Sequence, residues 1–325
     1  MFYIDFHIDT LIRWLVDKSK GEVSNIDLWK NDYHVDIERL IKSNYAAQFF
    51  ACFICLGEEP IYKISHYDDA LKAIDIFHEQ VSKNPEKIVF ASSYQDYIAN
   101  KNNNRLSAFL TIEEGGIIDG KIERLEELYN KGVRAITLTW NYENCLGYPN
   151  SGYKFKDYGL KPFGIEVVEK MNDLGIIVDV SHLSDAGFND VYKYSKKPFM
   201  ATHSNSRAMH EHCRNLTDEM VKKLADKGGI TGINFCGVFL QKENVSKIDD
   251  MITHIRHLIN VGGLEIVGLG TDFDGIDGEL EIKGAGDIHM LAEEMEKNKF
   301  TSKEIEAVCY KNAEAFFKRF FNSCV

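Results

Sequence analysis

The chain has 325 residues, 44% apolar and 27% charged, enough for one large soluble domain with a substantial core. Its net charge of −12 argues against a nucleic-acid partner, because a phosphate backbone asks for a basic face, and it suits a site that holds cations. No apolar run reaches the ~18 residues of a membrane span. The opening MFYIDFHIDT is acidic where a secretory leader would be basic, and the seven cysteines are scattered and odd in number, so a cytoplasmic protein with reduced thiols is expected.

Eight short apolar runs recur along the chain, each followed by a helical pattern. They are Tyr3–Asp9, Ala46–Leu56, Ser107–Glu113, Val133–Thr139, Gly175–Ser181, Pro198–His203, Gly229–Phe235 and Ile266–Asp272. They are near-continuous rather than alternating, as strands buried on both faces of a parallel sheet are. The second run carries Cys52 and Cys55 in C-x-x-C spacing. No second C-x-x-C follows, so they read as small core residues. In PFGIEVVEKMNDLG, Phe163, Val167, Met171 and Leu174 share one helical face, and Gly175 stands where the helix should stop. In LTDEMVKKLADKGG, Thr217 can cap the start and Gly228 the end. Thr301 and Glu304 have capping-box spacing. No linker or composition break interrupts the chain. Eight strand–helix units predict an α/β fold, a (β/α)8 TIM barrel filling residues 1–325 as a single domain. An open doubly wound sheet would want a Gly-rich turn after its first strand, and HIDTLIRW has none.

Barrel active sites are assembled at the C-terminal ends of the strands. The first run ends in His7-Ile8-Asp9, whose side chains at i and i+2 point the same way and are competent ligands for one metal. The third ends in Glu113-Glu114-Gly115-Gly116, two carboxylates that repel unless a cation or solvent separates them. The fifth and sixth end near His182 and His203, and the eighth in GTDFDG, where Asp272 stands as a catalytic acid or base would. A calcium loop there is excluded, because Ile276 occupies a position that needs an oxygen ligand. Together these residues supply ligands for two metals with a carboxylate left over. A bridging carboxylate and a water between two zinc ions ~3.5–4 Å apart give a nucleophile usable at neutral pH. His34, His66, His78, His254, His257 and His289 lie in helical or loop patterns, and His210 and His212 lack H-E-x-x-H spacing.

The segments FHIDTL, TIEEGG, GVRAITLTWN, GLKPFGIEVVEKMNDLGIIVDVSH, ATHSNSRAM, CRNLTDE and VGLGTDFDG, spanning residues 6 to 275, resemble the membrane dipeptidase (renal dipeptidase) family of metal-dependent amidohydrolases. The resemblance implies a zinc-dependent dipeptidase with two zinc ions per chain. It implies that His7 and Asp9 bind the first ion, that His182 and His203 bind the second, and that Glu114, directly before the paired glycines, bridges them. It makes Asp272 the general base that passes a proton to the leaving amine. It makes Arg214 the clamp on the substrate's terminal carboxylate, a task suited to a guanidinium fork. Dipeptides with a C-terminal D-residue fall within the implied substrates, and a homodimer within the implied assemblies.

The sequence departs from the pattern at Trp140, where vertebrate members have a His. An indole donates a hydrogen bond but cannot accept one or take a proton, so oxyanion contacts and substrate preference are expected to differ, with neighbouring Asn141 able to substitute. The chain ends FFKRFFNSCV, with no lipid-anchor tail expected and no membrane association implied. The long stretch Asn141–Gly164 has the length of a lid, with Tyr142, Tyr148 and Tyr153 as candidate pocket residues. Two alternatives stand beside the dipeptidase. One is another amidohydrolase reaction, such as N-acyl amino acid deacylation or lactone opening. The other is a non-catalytic barrel, disfavoured because every metal position is filled.

Overall fold

The structure, a computed structural model, describes residues 1–21, 27–57 and 66–322. Cys324 lies outside the described residues. Each of the eight expected runs coincides with a strand, two of which begin one residue earlier than expected: β1 (Tyr3–Ile8), β2 (Tyr45–Phe53), β3 (Leu106–Glu113), β4 (Val133–Thr137), β5 (Ile177–Asp179), β6 (Met200–Ala201), β7 (Ile230–Ile233) and β8 (Val267–Leu269). Consecutive strands pair in parallel, and Asp5 of β1 lies opposite Leu269 of β8, so the ring closes as a (β/α)8 barrel. A further short strand, Ile88–Phe90, lies against the start of β3 and had no expectation in the sequence.

The runs at Gly175–Ser181 and Pro198–His203 are longer than the strands they contain. Beyond Ala201 the ladder gives way to side chains. Thr202 N donates to Asp179 Oδ1 at 2.9 Å, and His203 N donates to Ser181 Oγ at 3.1 Å. The backbone donors are still satisfied, as burial requires, but by groups that also build the site.

The core has two principal layers. An inner cluster takes Ile4 and Phe6, Ala47 and Phe49, Phe109, Ala135, Ile177, Met200 and Ile230 from the early parts of seven strands. It is closed by Phe316, Phe317 and Phe320 of the C-terminal helix Asn312–Asn322. Phe317 stacks on Phe49 at 5.6 Å and tilts on Phe109 at 5.2 Å. The N-terminal end of the barrel is thus plugged by aromatics, and the outer cluster seats the helices on the strands. The helices follow their sequence signals. Pro162–Leu174 ends at Gly175, Thr217 caps Asp218–Asp226 through Met220 N, and Thr301 and Glu304 form a capping box. Cys52 and Cys55 are buried, as their apolar context requires.

Candidate active site

The opposite end of the barrel is polar, and its acceptors converge. His7 Nε2 lies 3.3 Å from Asp9 Oδ2 and 3.9 Å from Asp272 Oδ1. Glu113 stands between two groups of nitrogens. Its Oε2 is 3.4 Å from His7 Nε2, while its Oε1 is 3.1 Å from His182 Nε2 and 3.7 Å from His203 Nε2. Two sets, His7–Glu113–His203 and His7–Asp9–Asp272, have ligand atoms that all lie within 4.8 Å of one another.

The surroundings of the histidines set which nitrogen carries the proton. Thr202 Oγ1 donates to Asp179 Oδ2 at 2.6 Å and so accepts from His203 Nδ1 at 2.7 Å. His182 Nδ1 faces Asn141 Oδ1 at 3.1 Å. An oxygen acceptor at each Nδ1 leaves each Nε2 as a bare lone pair. These two lone pairs face each other at 3.0 Å and both face Glu113 Oε1. Burial, with the charge of Arg214, holds His182 down at about 4, and burial holds His203 well below its ordinary value, so neither gains a proton to relieve the contact. Among the described residues, His7 Nε2 and Asp9 Oδ1 are also buried with no hydrogen-bond partner. A convergence of acceptors with few donors fits a cation, and a set of imidazoles and carboxylates fits a divalent transition metal. Asp179, which also accepts from Thr137 Oγ1 and Ser181 N, orients the His203 partner, as outer groups of metal sites commonly do.

The structure corrects one expectation directly. Glu114, expected to bridge, turns away from the histidines. Its Oε1 accepts from Gly116 N at 2.9 Å and from Asn144 Nδ2, and its Oε2 accepts from Trp140 N at 3.1 Å. Glu113 occupies the place assigned to it. The reason is strand geometry: Glu113 is the last residue of β3 and points as Phe109 does, toward the barrel axis, whereas Glu114 has left the strand with φ +89°. Burial pushes the Glu114 carboxyl up to about 7, partly offset by these donors.

Asp272 sits at the mouth with φ +61°, and His182 has φ +68°. Such backbone is uncommon for residues other than glycine and is concentrated at functional sites. Asn234 Nδ2 donates to Asp272 Oδ2 at 2.8 Å. Burial and the nearby Asp9 and Glu113 push this carboxyl up to about 8, against the pull of His7. Gly275 lies directly on both acids. A Cβ there would come within 2.1 Å of Asp9 Oδ2 and 2.8 Å of Asp272 Oδ1, so a larger residue would have to displace both carboxylates.

A cavity of about 310 Å³ opens onto this cluster. Glu113, Asp9, Asp272, His182 and Asn141 form its polar floor, and Ile12, Val16, Phe53 and Trp140 form an apolar wall. Trp140 meets Phe53 edge-on at 4.7 Å. Tyr142, Tyr148 and Tyr153 do not line the cavity. Tyr142 packs on Trp140, Tyr148 on Phe155 and Tyr158, and Tyr153 bonds Glu211, so the long stretch after β4 is held by its own aromatic contacts. Arg214 is buried beside the histidines. Its Nη2 donates to His203 O at 3.4 Å, and its Nε has no partner among the described residues. His212, which lacks a metal-motif spacing in the sequence, accepts from Arg214 N at 3.2 Å and tilts on Phe239. Asn234 and Thr202 had no sequence signal beyond lying just past the ends of β7 and β6, and Asn144 none beyond lying in the long stretch after β4.

The family description "Membrane dipeptidase (Peptidase family M19)" matches residues 1–319. The chain belongs to that family. It is a metal-dependent dipeptidase. A dipeptidase of Schizosaccharomyces pombe is 33% identical over 303 residues, 88% of this chain and 72% of that one. Two solved structures share the fold. The dipeptidase AC of family M19 superposes with a TM-score of 0.88 at 23% identity, covering 99% of each chain. A metallopeptidase of Rhodobacter sphaeroides, carrying a phosphinate mimic of the dipeptide L-Ala-D-Ala, superposes at 0.87 with 22% identity, covering 98% of this chain and 99% of that one. Among the described residues of this dipeptidase, no helix is long and apolar enough to cross a membrane.

Proposed function

We propose that this chain cleaves dipeptides with two zinc ions held by His7, Asp9, His182 and His203 and bridged by Glu113. The observation that carries the reading is Glu113 itself, whose Oε2 faces His7 while its Oε1 faces His182 and His203. Bound there, the ions would supply Lewis acidity toward the scissile carbonyl and a water acidic enough to attack at neutral pH. Asp272 is the proton carrier. Asn234 occupies its Oδ2, and Oδ1 on the His7 side is left to accept the proton of the attacking water and return it to the leaving amine. Arg214 binds the substrate's terminal carboxylate, for which a buried guanidinium with an unpartnered Nε is prepared. Asn141 orients His182 and Trp140 shapes the apolar wall, which receives the side chain of the substrate's N-terminal residue. The L-Ala-D-Ala mimic in the Rhodobacter protein supports including L,D-dipeptides among the substrates.

The test is a panel of L,L- and L,D-dipeptides given to zinc-loaded wild type and Asp272→Asn, with zinc counted in both. Wild type should release amino acids fastest from dipeptides with a bulky apolar N-terminal residue. Asp272→Asn should lose about 10²- to 10⁴-fold in rate while keeping its zinc. Retained activity in that variant removes Asp272 from the chemistry, and one tightly held zinc per wild-type chain removes the bridge.

A further inference from the structure

Three residues from the barrel end, outside the metal cluster, form a buried device that no part of the reading above uses. Arg207 and Asp185 make a bidentate pair, Nη1 to Oδ2 at 2.7 Å and Nη2 to Oδ1 at 2.8 Å. Arg207 is 7% exposed and the Asp185 side chain 13%. Two further donors of the guanidinium are committed as well. Nε donates to Asn215 O at 2.8 Å, and Nη2 reaches Cys213 O at 3.4 Å. Cys213 O also accepts from Asn150 Nδ2 at 2.8 Å, whose other hydrogen goes to Asp185 Oδ1 at 2.7 Å.

These bonds grip the carbonyls on both sides of one residue, Arg214. They also span the segments that follow both site histidines: Asp185 stands three residues after His182, and Arg207 four after His203. The space between the two arginines is a cavity of only about 10 Å³, at the lower limit for a single water. The charges are divided in the same way. Asp185 neutralises Arg207, while Arg214 makes no ion pair among the described residues; it lines this small cavity together with His182, which also lines the larger one.

We propose that the Asn150–Asp185–Arg207 triad is a positioning device that aims the Arg214 fork at the substrate's terminal carboxylate and so sets the preference for a free C-terminus next to the scissile bond. The inference rests on the reading of Arg214 as the carboxylate clamp. Arg207 touches no substrate. It works by fixing the backbone on either side of the residue that does, and a guanidinium is required because four acceptor contacts lie in one plane-bound fork.

The test uses Arg207→Lys, which keeps the charge and removes the fork, Asp185→Asn as a second variant, Arg214→Ala, and Arg207→Lys in the Arg214→Ala background. Equilibrium binding of a phosphinate dipeptide mimic is compared with binding of its C-terminal amide, alongside KM and kcat for a dipeptide that wild type cleaves. Arg207→Lys and Asp185→Asn should each weaken the acid form about tenfold, leave the amide form within about twofold, and raise KM with little change in kcat. In the Arg214→Ala background, Arg207→Lys should add nothing, because the two act in series. Equal weakening of acid and amide, or an undiminished effect without Arg214, overturns the positioning role while leaving the clamp intact. If Arg214→Ala itself binds acid and amide as wild type does, the clamp is refuted and the device has nothing to aim.

Discussion

Glu113 and Glu114 are adjacent, both buried, and opposite in surroundings. Glu113 meets three imidazoles, and although burial alone would raise its carboxyl, His7 and His182 hold it well below the usual range. Glu114 meets Gly116 N, Trp140 N and Asn144 Nδ2, all neutral donors, and stays high. Their substitutions should therefore separate. Glu113→Gln should lose bound metal and about 10²-fold or more in activity, since losing an acceptor oxygen exposes both imidazole groups to each other. Glu114→Gln should keep its metal, because only the anchorage of the Trp140–Asn144 segment is disturbed. Metal content per chain after extensive dialysis decides this, and equal loss in the two variants would place both acids in the cluster. The choice between them was within reach of the sequence. Counting back in twos from Glu113 gives Thr111 and Phe109, while Leu110 and Ile112 belong to the outer layer that carries the helices. The glycine pair drew attention to Glu114 instead. The contacts of Arg214, Asn141 and Asn234 were not legible in the same way, because each depends on the folding of a segment between strands that has no periodicity to read.

Strands as short as β5 and β6 carry this site because their ends are completed by side chains and by close backbone approach. The apolar runs announced eight strands correctly, since burial on both faces leaves a continuous hydrophobic signature. They overstated where pairing stops, since Asp179 and Ser181 take over the ladder at Thr202 and His203. Gly270, just beyond β8, shows how tightly this is built: a Cβ there would lie 1.8 Å from Thr202 O and 3.0 Å from Gly232 Cα. Both obstacles are backbone, so an added methyl must spread β6 from β8 and separate His203 from Asp272. Gly270→Ala is expected to express poorly. The fraction that folds should bind metal at least about tenfold more weakly while retaining its helical circular dichroism, because overpacking at a rigid point costs ~1–3 kcal/mol or more. A variant with unchanged metal affinity would show that the strand ends can part without moving the ligands.

At the scale of the whole molecule, the barrel places its aromatic plug at one end and its unpaired acceptors at the other, so folding concentrates like charges in a buried mouth. Without a cation this is costly, and the cost depends on pH. Asp272 is pushed up to about 8 and Glu114 to about 7, whereas in the unfolded chain such carboxyls titrate near 4. Between those values the folded state holds more protons than the unfolded one, so stability falls as pH rises through the window. His7 adds to this slope. Burial opposes its protonation, but Glu113 and Asp9 outweigh burial and raise it, so its contribution is present below about 6.5 and is lost as pH climbs through its folded value. His182 and His203 act in the opposite sense only below about 6.5, where the unfolded chain gains protons they refuse. From about pH 7.5 to 8.5, where unfolded imidazoles have shed most of their protons, the destabilising groups dominate. Thermal melts of chelated protein across that range should show Tm falling steadily. Zinc-loaded protein should melt higher throughout and lose most of the slope, because a bound cation keeps Asp9, Glu113 and Asp272 ionised at no cost and binds the folded chain alone. A chelated protein whose Tm is level or rises over the same range would mean that the mouth tolerates its own charges, and that metal is not what the folded barrel lacks.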